Sequence, residues 1–351
     1  MASRPKRHYC VMVLAFQPPL DPMLARLKEE IPKGEGWLYE PKWDGFRAVV
    51  FAAGDSIEMF SRDRKPLGRY FPELLPALTA ALPAGAIADG EIVITGGHGL
   101  EFDSLLQRIH PAASRIALLA EQTPASFVVF DLMGLGEHDL RSQPLATRRE
   151  KLHGIFGKPQ LPSTGRGTNV TLTPQTSDFD EASEWFIGLE SLGLDGLIAK
   201  QAGAPYSPGE RTMVKIKHRR TADCVVGGYR LSKSKDGVGS LLLGLYDDEG
   251  TLHLVGHTSS FKAAERRDLL QTLKPLEKET GFEGGRAPGG PSRWAAQKDQ
   301  SWVPLDPVLV CEVSYDYMQG VRFRHATRLL RWRDDKEPRA CTLDQVLVSR
   351  G

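Results

Sequence analysis

Along the first 220 residues, apolar positions follow two different periods. Residues 49–61 and 126–133 are rich in β-branched and aromatic side chains, which predicts strands. Between them, residues 70–82 place Leu74, Leu75 and Leu78 on one helical face. Pro144 suits the first turn of a second helix, running to about Phe156. Asp178 can cap a third, in which Ala182, Trp185, Phe186 and Leu189 recur at three- and four-residue spacing. Gly193-Leu194-Asp195-Gly196 then turns the chain into a strand over 197–200, and the polar stretch 157–167 is expected to be a surface loop.

The pattern changes after the basic run Lys215-Ile216-Lys217-His218-Arg219-Arg220. Short apolar runs at 224–230, 240–246, 251–256 and 308–315 predict strands, one helix is expected over 262–274, and the Gly- and Pro-rich stretch 281–292 must be loop. Five short strands and one helix in about 130 residues suit a small Greek-key barrel such as an OB-fold. Two domains are therefore expected. The first, 1–220, is α+β, with antiparallel sheets flanked by helices; the second, 221–351, is all-β, and the boundary falls within 218–222. No internal repeat is present.

A chain of 351 residues can bury two ordinary cores. Its 45 Lys and Arg nearly cancel 44 Asp and Glu, which excludes a globally basic nucleic-acid binder. Local basic faces remain, at 211–220 and 322–339, and their motif contexts favour phosphate contact over plain solvation. Cys10, Cys224, Cys311 and Cys341 show no C-x-x-C spacing, which argues against a zinc ribbon, a thioredoxin-type site or a disulfide framework. No apolar run approaches the ~18 residues that span a bilayer. Arg4-Pro5-Lys6-Arg7 before residues 9–16 imitates a signal peptide, but Gln17-Pro18-Pro19 stands where a cleavage site belongs. A short strand or ordered arm, in a reducing cytoplasm, is expected instead.

The chemistry concentrates in Glu40-Pro41-Lys42-Trp43-Asp44-Gly45-Phe46-Arg47. Taken singly, this is a charged hairpin face as readily as a site. Its weight comes from the motifs that succeed it in order: Phe60-Ser61-Arg62 at a strand end, Asp89-Gly90-Glu91 before an Ile-Val-Ile strand, and Phe130-Asp131 ending another. Asp195-Gly196-Leu197-Ile198-Ala199-Lys200, Lys215-Ile216-Lys217 and Arg331-Trp332-Arg333-Asp334-Asp335-Lys336 complete the series. Judged apart from it, Phe130 and Trp185 are ordinary core aromatics, and Glu91 and Asp195 are turn carboxylates.

In this order the motifs resemble the covalent nucleotidyltransferases: ATP-dependent DNA ligases, RNA ligases and mRNA-capping enzymes. The resemblance runs from Pro22-Met23-Leu24-Ala25 to the barrel's end. It is strongest to compact bacterial ligases of the C and D type, through Glu312-Val313-Ser314-Tyr315, Arg322-Phe323-Arg324-His325 and Leu330-Arg331-Trp332-Arg333. It implies an adenylation domain followed by an OB-fold, ATP as the nucleotide, and magnesium or manganese as the metal. NAD-dependent ligases are longer and carry a zinc-binding cysteine cluster absent here.

Lys42 matches the family lysine that attacks the α-phosphate and releases pyrophosphate. A lysine of ordinary pKa, ~10.4, is protonated at neutral pH, so the role needs cationic neighbours that favour the free amine. Lys215, Lys217, Lys200 and a bound metal are expected to supply them and to neutralise the phosphoryl oxygens. The resemblance further implies that Phe130 stacks on adenine, Arg47 and Glu91 hold the ribose, Arg62 lies near ribose and DNA phosphate, and Glu40 meets the base edge. Asp195, with Glu91, is implied to draw in the metal, though the family usually has Glu at this position. Arg333 and Lys336 are implied to clamp the leaving pyrophosphate.

The expected activity is ATP-dependent sealing of nicked or broken duplex DNA by a bacterial, cytoplasmic, nucleoid-associated monomer working in repair or end joining. Repair polymerases and Ku-like end binders are the expected protein partners. An RNA ligase or capping enzyme shares Lys42-x-Asp44-Gly45, and a catalytically silent DNA-binding scaffold would keep the fold. With Lys42 so near the start of the chain, no separate DNA-binding domain is expected to precede it.

Overall fold

A computed structural model describes residues 14–97, 99–159, 167–218, 220–279, 281–282 and 301–346. The chain forms two compact units, 1–217 and 218–351. Of the expected features, the first part of the N-terminal arm, most of the 157–167 loop, Arg219 and nearly all of 281–292 lie outside the described residues.

Two sheets organise the first unit. Strands β1 (Leu24–Lys28), β2 (Trp37–Pro41), β8 (Leu197–Gln201) and β9 (Arg211–Ile216) form one, in the order β1-β9-β8-β2. Strands β3 (Phe46–Ala53), β4 (Ser56–Ser61), β5 (Ile87–Val93), β6 (Ser126–Leu135) and β7 (Val170–Leu172) form the other, in the order β7-β6-β5-β3-β4. The pairing is antiparallel except between β1 and β9 and between β7 and β6, two parallel exceptions to the expected sheets. The run 49–61 is a hairpin rather than one strand, because Gly54, at φ 65°, turns the chain back.

Helices cover the outer faces. Helix α1 (Leu74–Ala81) starts later than its apolar pattern suggests, since Pro72 disfavours helical geometry at Phe71. Helices α2 (Phe102–Gln107) and α3 (Ala113–Gln122) are additions to the expected elements. Pro144 is the N-cap of α4 (Leu145–Phe156) rather than a first-turn residue. Asp178 does cap α5 (Phe179–Gly188), accepting from the amides of Asp180 and Glu181, which is worth about 1 kcal/mol.

Period-two alternation then sorts the side chains. On the first sheet, Tyr39, Leu197, Ala199, Val214 and Ile216 pack with Ala182, Trp185 and Phe186 of α5, so Trp185 is a core residue. The opposite face carries Glu40, Ile198, Lys200 and Lys215. On the second sheet, Ala48, Val50, Ala88, Ile92 and Phe127 join the core under α1. Val49, Phe51, Ile87 and Met133 face the other way, meeting Met23, Met213 and Tyr206. The two sheets thus enclose a small apolar core with charged side chains beyond it.

The second unit is a closed barrel. Strands β10 (Arg220–Leu231), β11 (Val238–Tyr246), β12 (Leu252–Thr258), β13 (Val310–Tyr315) and β14 (Arg328–Trp332) run in the order β12-β11-β10-β13-β14. A bridge between Thr258 and Thr327 joins the two ends, with Thr258 Oγ1 donating to the Thr327 carbonyl at 2.9 Å. Helix α6 (Ala263–Leu273) follows β12 and buries Leu269 and Leu273. This is the OB arrangement. The fifth strand, β14, is the one no apolar run marks. Cys224, Cys311 and Cys341 are free thiols in the core. Among the described residues no helix is long and apolar enough to cross a membrane.

Candidate active site

Lys42 lies just beyond β2, where two glycines allow close backbone approach, Gly45 to the second sheet and Gly196 to β9 of the first. A Cβ on Gly45 would stand 2.2 Å from the Ile92 carbonyl, and one on Gly196, at φ +119°, 2.0 Å from that of Ile216. The Lys42 amide donates to the Gly196 carbonyl at 2.9 Å, and the Asp195 amide to that of Lys42 at 3.1 Å. Trp43 is buried and donates from Nε1 to Thr173 Oγ1 at 2.9 Å, anchoring the same segment.

Lysine and aspartate therefore meet. Lys42 Nζ lies 2.9 Å from Asp195 Oδ2, and Lys217 Nζ lies 2.6 Å from the same oxygen. Burial alone would raise the Asp195 carboxyl, but Lys42 and Lys217 hold it below the usual carboxylate range. Lys215 is lowered by its burial first and then by Lys217 and Lys42. Lys200 does not join them. Its Nζ lies 2.7 Å from Glu40 Oε2, both side chains buried, at an angle outside hydrogen-bond geometry. Gln175 Nε2 donates to Glu40 Oε1 at 2.6 Å.

Phe130 lies inside β6 rather than at its end, and the Asp89-Gly90-Glu91 motif lies inside β5 rather than before it. Between these strands Asp89 pairs with Asp131 while Gly90 pairs with Val129, so Phe130 is the extra residue of a bulge. Bulges re-aim side chains. The half-buried Phe130 ring has the Lys200 ammonium 4.8 Å from its centroid and the Arg47 guanidinium 5.1 Å away.

Arg47 is not free to hold a ribose with its whole fork. Nε and Nη2 donate to the buried Asp89 carboxylate at 3.0 and 2.5 Å. Burial opposes the Arg47 charge, and Asp89 outweighs burial, raising the guanidinium above its ordinary value. Tyr206 Oη donates to Asp89 Oδ2 at 2.6 Å and accepts from the Met23 amide at 3.0 Å. Glu91 lies directly opposite Arg47, and burial pushes its carboxyl up to about 8, with Asp44 and Asp89 adding to the rise. Arg62 is two-thirds exposed at the end of β4, 3.7 Å from Asp63.

Among the described residues no group of three or more His, Cys, Asp or Glu side chains could hold a metal ion by itself. A magnesium-like cation takes one or two carboxylates and completes its shell with phosphate oxygens and water. Such a cation takes its carboxylates ionised, so at Glu91, whose carboxyl is raised by burial and neighbouring acids, binding would displace a proton, and at Asp195 it would compete with two lysines.

Several supporting residues escape the sequence reading. Asp131 is fully buried and makes a two-point ion pair with Arg148, at 2.7 and 3.0 Å, fixing the strand beside Phe130. Arg149 donates to the Thr173 carbonyl. A signal exists: Leu145, Arg148, Arg149 and Leu152 occupy the buried face of α4 at helical spacing, with arginine where apolar residues belong.

The second basic run is largely neutralised within its own unit. Arg331 pairs with Glu312 at 2.6 Å, and Arg333 with Asp223 and Asp335 at 2.8 Å each. Arg339 donates to the Gly250 carbonyl. In the first run, Arg220 donates to the Asp316 carbonyl at 2.8 Å and lies over Tyr317, which is a structural use of that cation.

Comparisons with known proteins agree with this geometry. A family model described as ATP dependent DNA ligase domain matches residues 22–217, and one described as ATP dependent DNA ligase C terminal region matches 234–336. The chain is 49% identical over 345 residues to DNA ligase C1 of Mycolicibacterium smegmatis, covering 95% of this chain and 96% of that one. It is 47% identical over 353 residues to DNA ligase C of Mycobacterium tuberculosis, with the same coverage. A solved structure from a study of Lig E DNA ligases shares the fold, at TM-score 0.51 and 18% identity, over 89% of this chain and 99% of that one. With its motifs assembled on two sheets and its second unit an OB barrel, the chain belongs to the ATP-dependent DNA ligases, enzymes that use ATP and a divalent metal to join nicked DNA.

Proposed function

We propose that Lys42 is the nucleophile that carries AMP, and that the chain seals nicks in three steps. Lys42 Nζ attacks the α-phosphorus of ATP; the N–P bond forms as the bond to the diphosphate oxygen breaks, and Nζ gives up a proton. AMP then passes to the 5′-phosphate of the nick, and the 3′-hydroxyl displaces it. The observation that supports this most is the contact of Lys42 Nζ and Lys217 Nζ with one oxygen of Asp195. Asp195 orients the amine, while Lys215 and Lys217 balance the charge that builds on the phosphoryl oxygens.

Phe130 is assigned to the adenine face, Glu40 and Lys200 to the base end, and Arg47, fixed by Asp89, to the ribose with Glu91. Arg62 is assigned to ribose and DNA phosphate. A divalent cation, magnesium or manganese, would be held by Glu91, with Asp195 as second carboxylate, and would supply charge neutralisation at the phosphates. Arg333 and Lys336 are assigned to the departing diphosphate. The likeness to mycobacterial ligase C proteins supports the sealing activity, and we infer that the chain uses it in repair or end joining, as a monomer and alongside a Ku-like end binder or repair polymerase.

Nicked duplex, incubated with ATP or GTP, tests the reading. Sealing with ATP alone, and sealing of a pre-adenylated nick without nucleotide, is the expected result. Transfer of GMP would assign the chain to capping chemistry, and no turnover on either DNA would make it a silent scaffold.

A further inference from the structure

Arg333 and Lys336 belong to one turn: the Arg333 amide donates to the Val310 carbonyl at 2.9 Å, and the Lys336 amide to that of Arg333 at 3.2 Å. Both side chains converge on a residue more than a hundred positions earlier, Asp223 of β10. Arg333 Nη1 donates to Asp223 Oδ1 and Oδ2 at 2.8 and 3.0 Å, and Lys336 Nζ lies 3.6 Å from Oδ2. Asp335 takes the other side of the guanidinium, through Nε and Nη2 at 2.8 and 2.9 Å.

Asp223 is itself held. Its amide donates to Gln345 Oε1 at 3.0 Å, and Gln345 Nε2 donates back to its carbonyl at 3.2 Å. One glutamine side chain thus grips both backbone groups of a single residue. Asp223 and Arg333 are both mostly shielded from water, at 14% and 17% exposure, so their attraction is screened less than a surface pair's. Lys336, at 30%, is the looser cation.

Two cations needed together for one polyanion repel each other until it arrives. A carboxylate shared between them removes that repulsion and fixes their spacing. The longer, more exposed Lys336 contact is the one a diphosphate can take over, and it reaches Arg333 by displacing the exposed Asp335, while Arg333 keeps its two-point hold on Asp223. We propose that Asp223 is a positioning residue for the adenylation step, presenting Arg333 and Lys336 as a preformed diphosphate receptor. The inference rests on the assignment of that pair under the proposed function.

The test uses the full chain as wild type, Asp223→Asn and Asp223→Glu, with adduct formation from ATP and sealing of a pre-adenylated nick measured separately. Asp223→Asn should slow adduct formation at saturating ATP by at least about tenfold, with the half-saturating ATP concentration and the sealing of the pre-adenylated nick each held within about threefold. Asp223→Glu should recover part of the lost rate. Unchanged or faster adduct formation in Asp223→Asn would make the carboxylate an idle or competing partner and overturn the proposal. Equal loss on both substrates, with no recovery by Asp223→Glu, would make it a structural residue and overturn it too. A wild-type chain that forms no adduct overturns the proposed function instead, so the two failures are distinct.

Discussion

Replacing Asp89 with asparagine should unsettle the first unit and the nucleotide site together. Asp89 is fully buried and receives three hydrogen bonds, two from Arg47 and one from Tyr206. An asparagine at this position would be neutral, and its amide would face the Arg47 fork with a donor. The guanidinium would then be a largely buried, uncompensated charge, a loss that costs about 3–5 kcal/mol. For a unit of this size, each kcal/mol lowers the unfolding midpoint by about 2–4 °C, so a drop of about 6–20 °C is expected. Tyr206→Phe removes one bond to the same carboxylate and should cost about 2 kcal/mol. Thermal unfolding followed by circular dichroism measures both variants, and ATP titration of adduct formation should show weaker nucleotide binding in Asp89→Asn. A stability within about 1 kcal/mol of wild type, or a larger loss in Tyr206→Phe, would show that the Arg47 charge does not depend on Asp89.

Phe130→Ala should raise the half-saturating ATP concentration by about 5- to 150-fold, the loss of one base stack, while a pre-adenylated nick is still sealed; equal loss on both substrates would remove Phe130 from the base site. Glu91→Gln should change the pH dependence of stability. The native carboxyl titrates at about 8 against an ordinary 4.5, so the folded protein holds the proton longer than the unfolded chain does, and wild-type stability falls as pH rises between those values. The midpoint advantage of Glu91→Gln should therefore grow from pH 5 to 8, by at most about 1.4 kcal/mol per unit, and level off above; a pH-independent difference would contradict the burial argument. Arg220→Ala should leave the slope of log K against log salt for nick binding within about half a unit, since Arg220 serves the Asp316 carbonyl and Tyr317; a fall near 0.9 would make it a phosphate contact.

How far the sequence is legible depends on the length scale of each interaction. The Asp178 cap, the α4 and α6 helices and the strand after Gly196 are local, so pattern and capping chemistry suffice. The 49–61 run shows the limit: two strands of one hairpin share a composition, and only the Gly54-Asp55 turn separates them. The motif lysines are visible because their order matches a family, whereas their partners depend on pairing between distant strands. Motif order groups Lys200 with the nucleophile, yet strand register puts it beside Glu40 and Phe130. Phe130 is aimed by a bulge and Asp131 by an arginine on α4, and Asp223 meets Arg333 across 110 residues of chain. The basic runs look open to phosphate in the sequence because net charge along a chain omits the carboxylates and carbonyls that folding brings to them.

In the proposed reaction one lysine carries the nucleotide. Peptide mapping by mass spectrometry after exposure to ATP and a divalent metal tests it directly, in wild type and in Lys42→Ala folded to the same thermal midpoint. AMP is expected on the peptide containing Lys42, with no adduct in the variant. AMP on Lys200, Lys215 or Lys217, or an adduct that persists in Lys42→Ala, would contradict it.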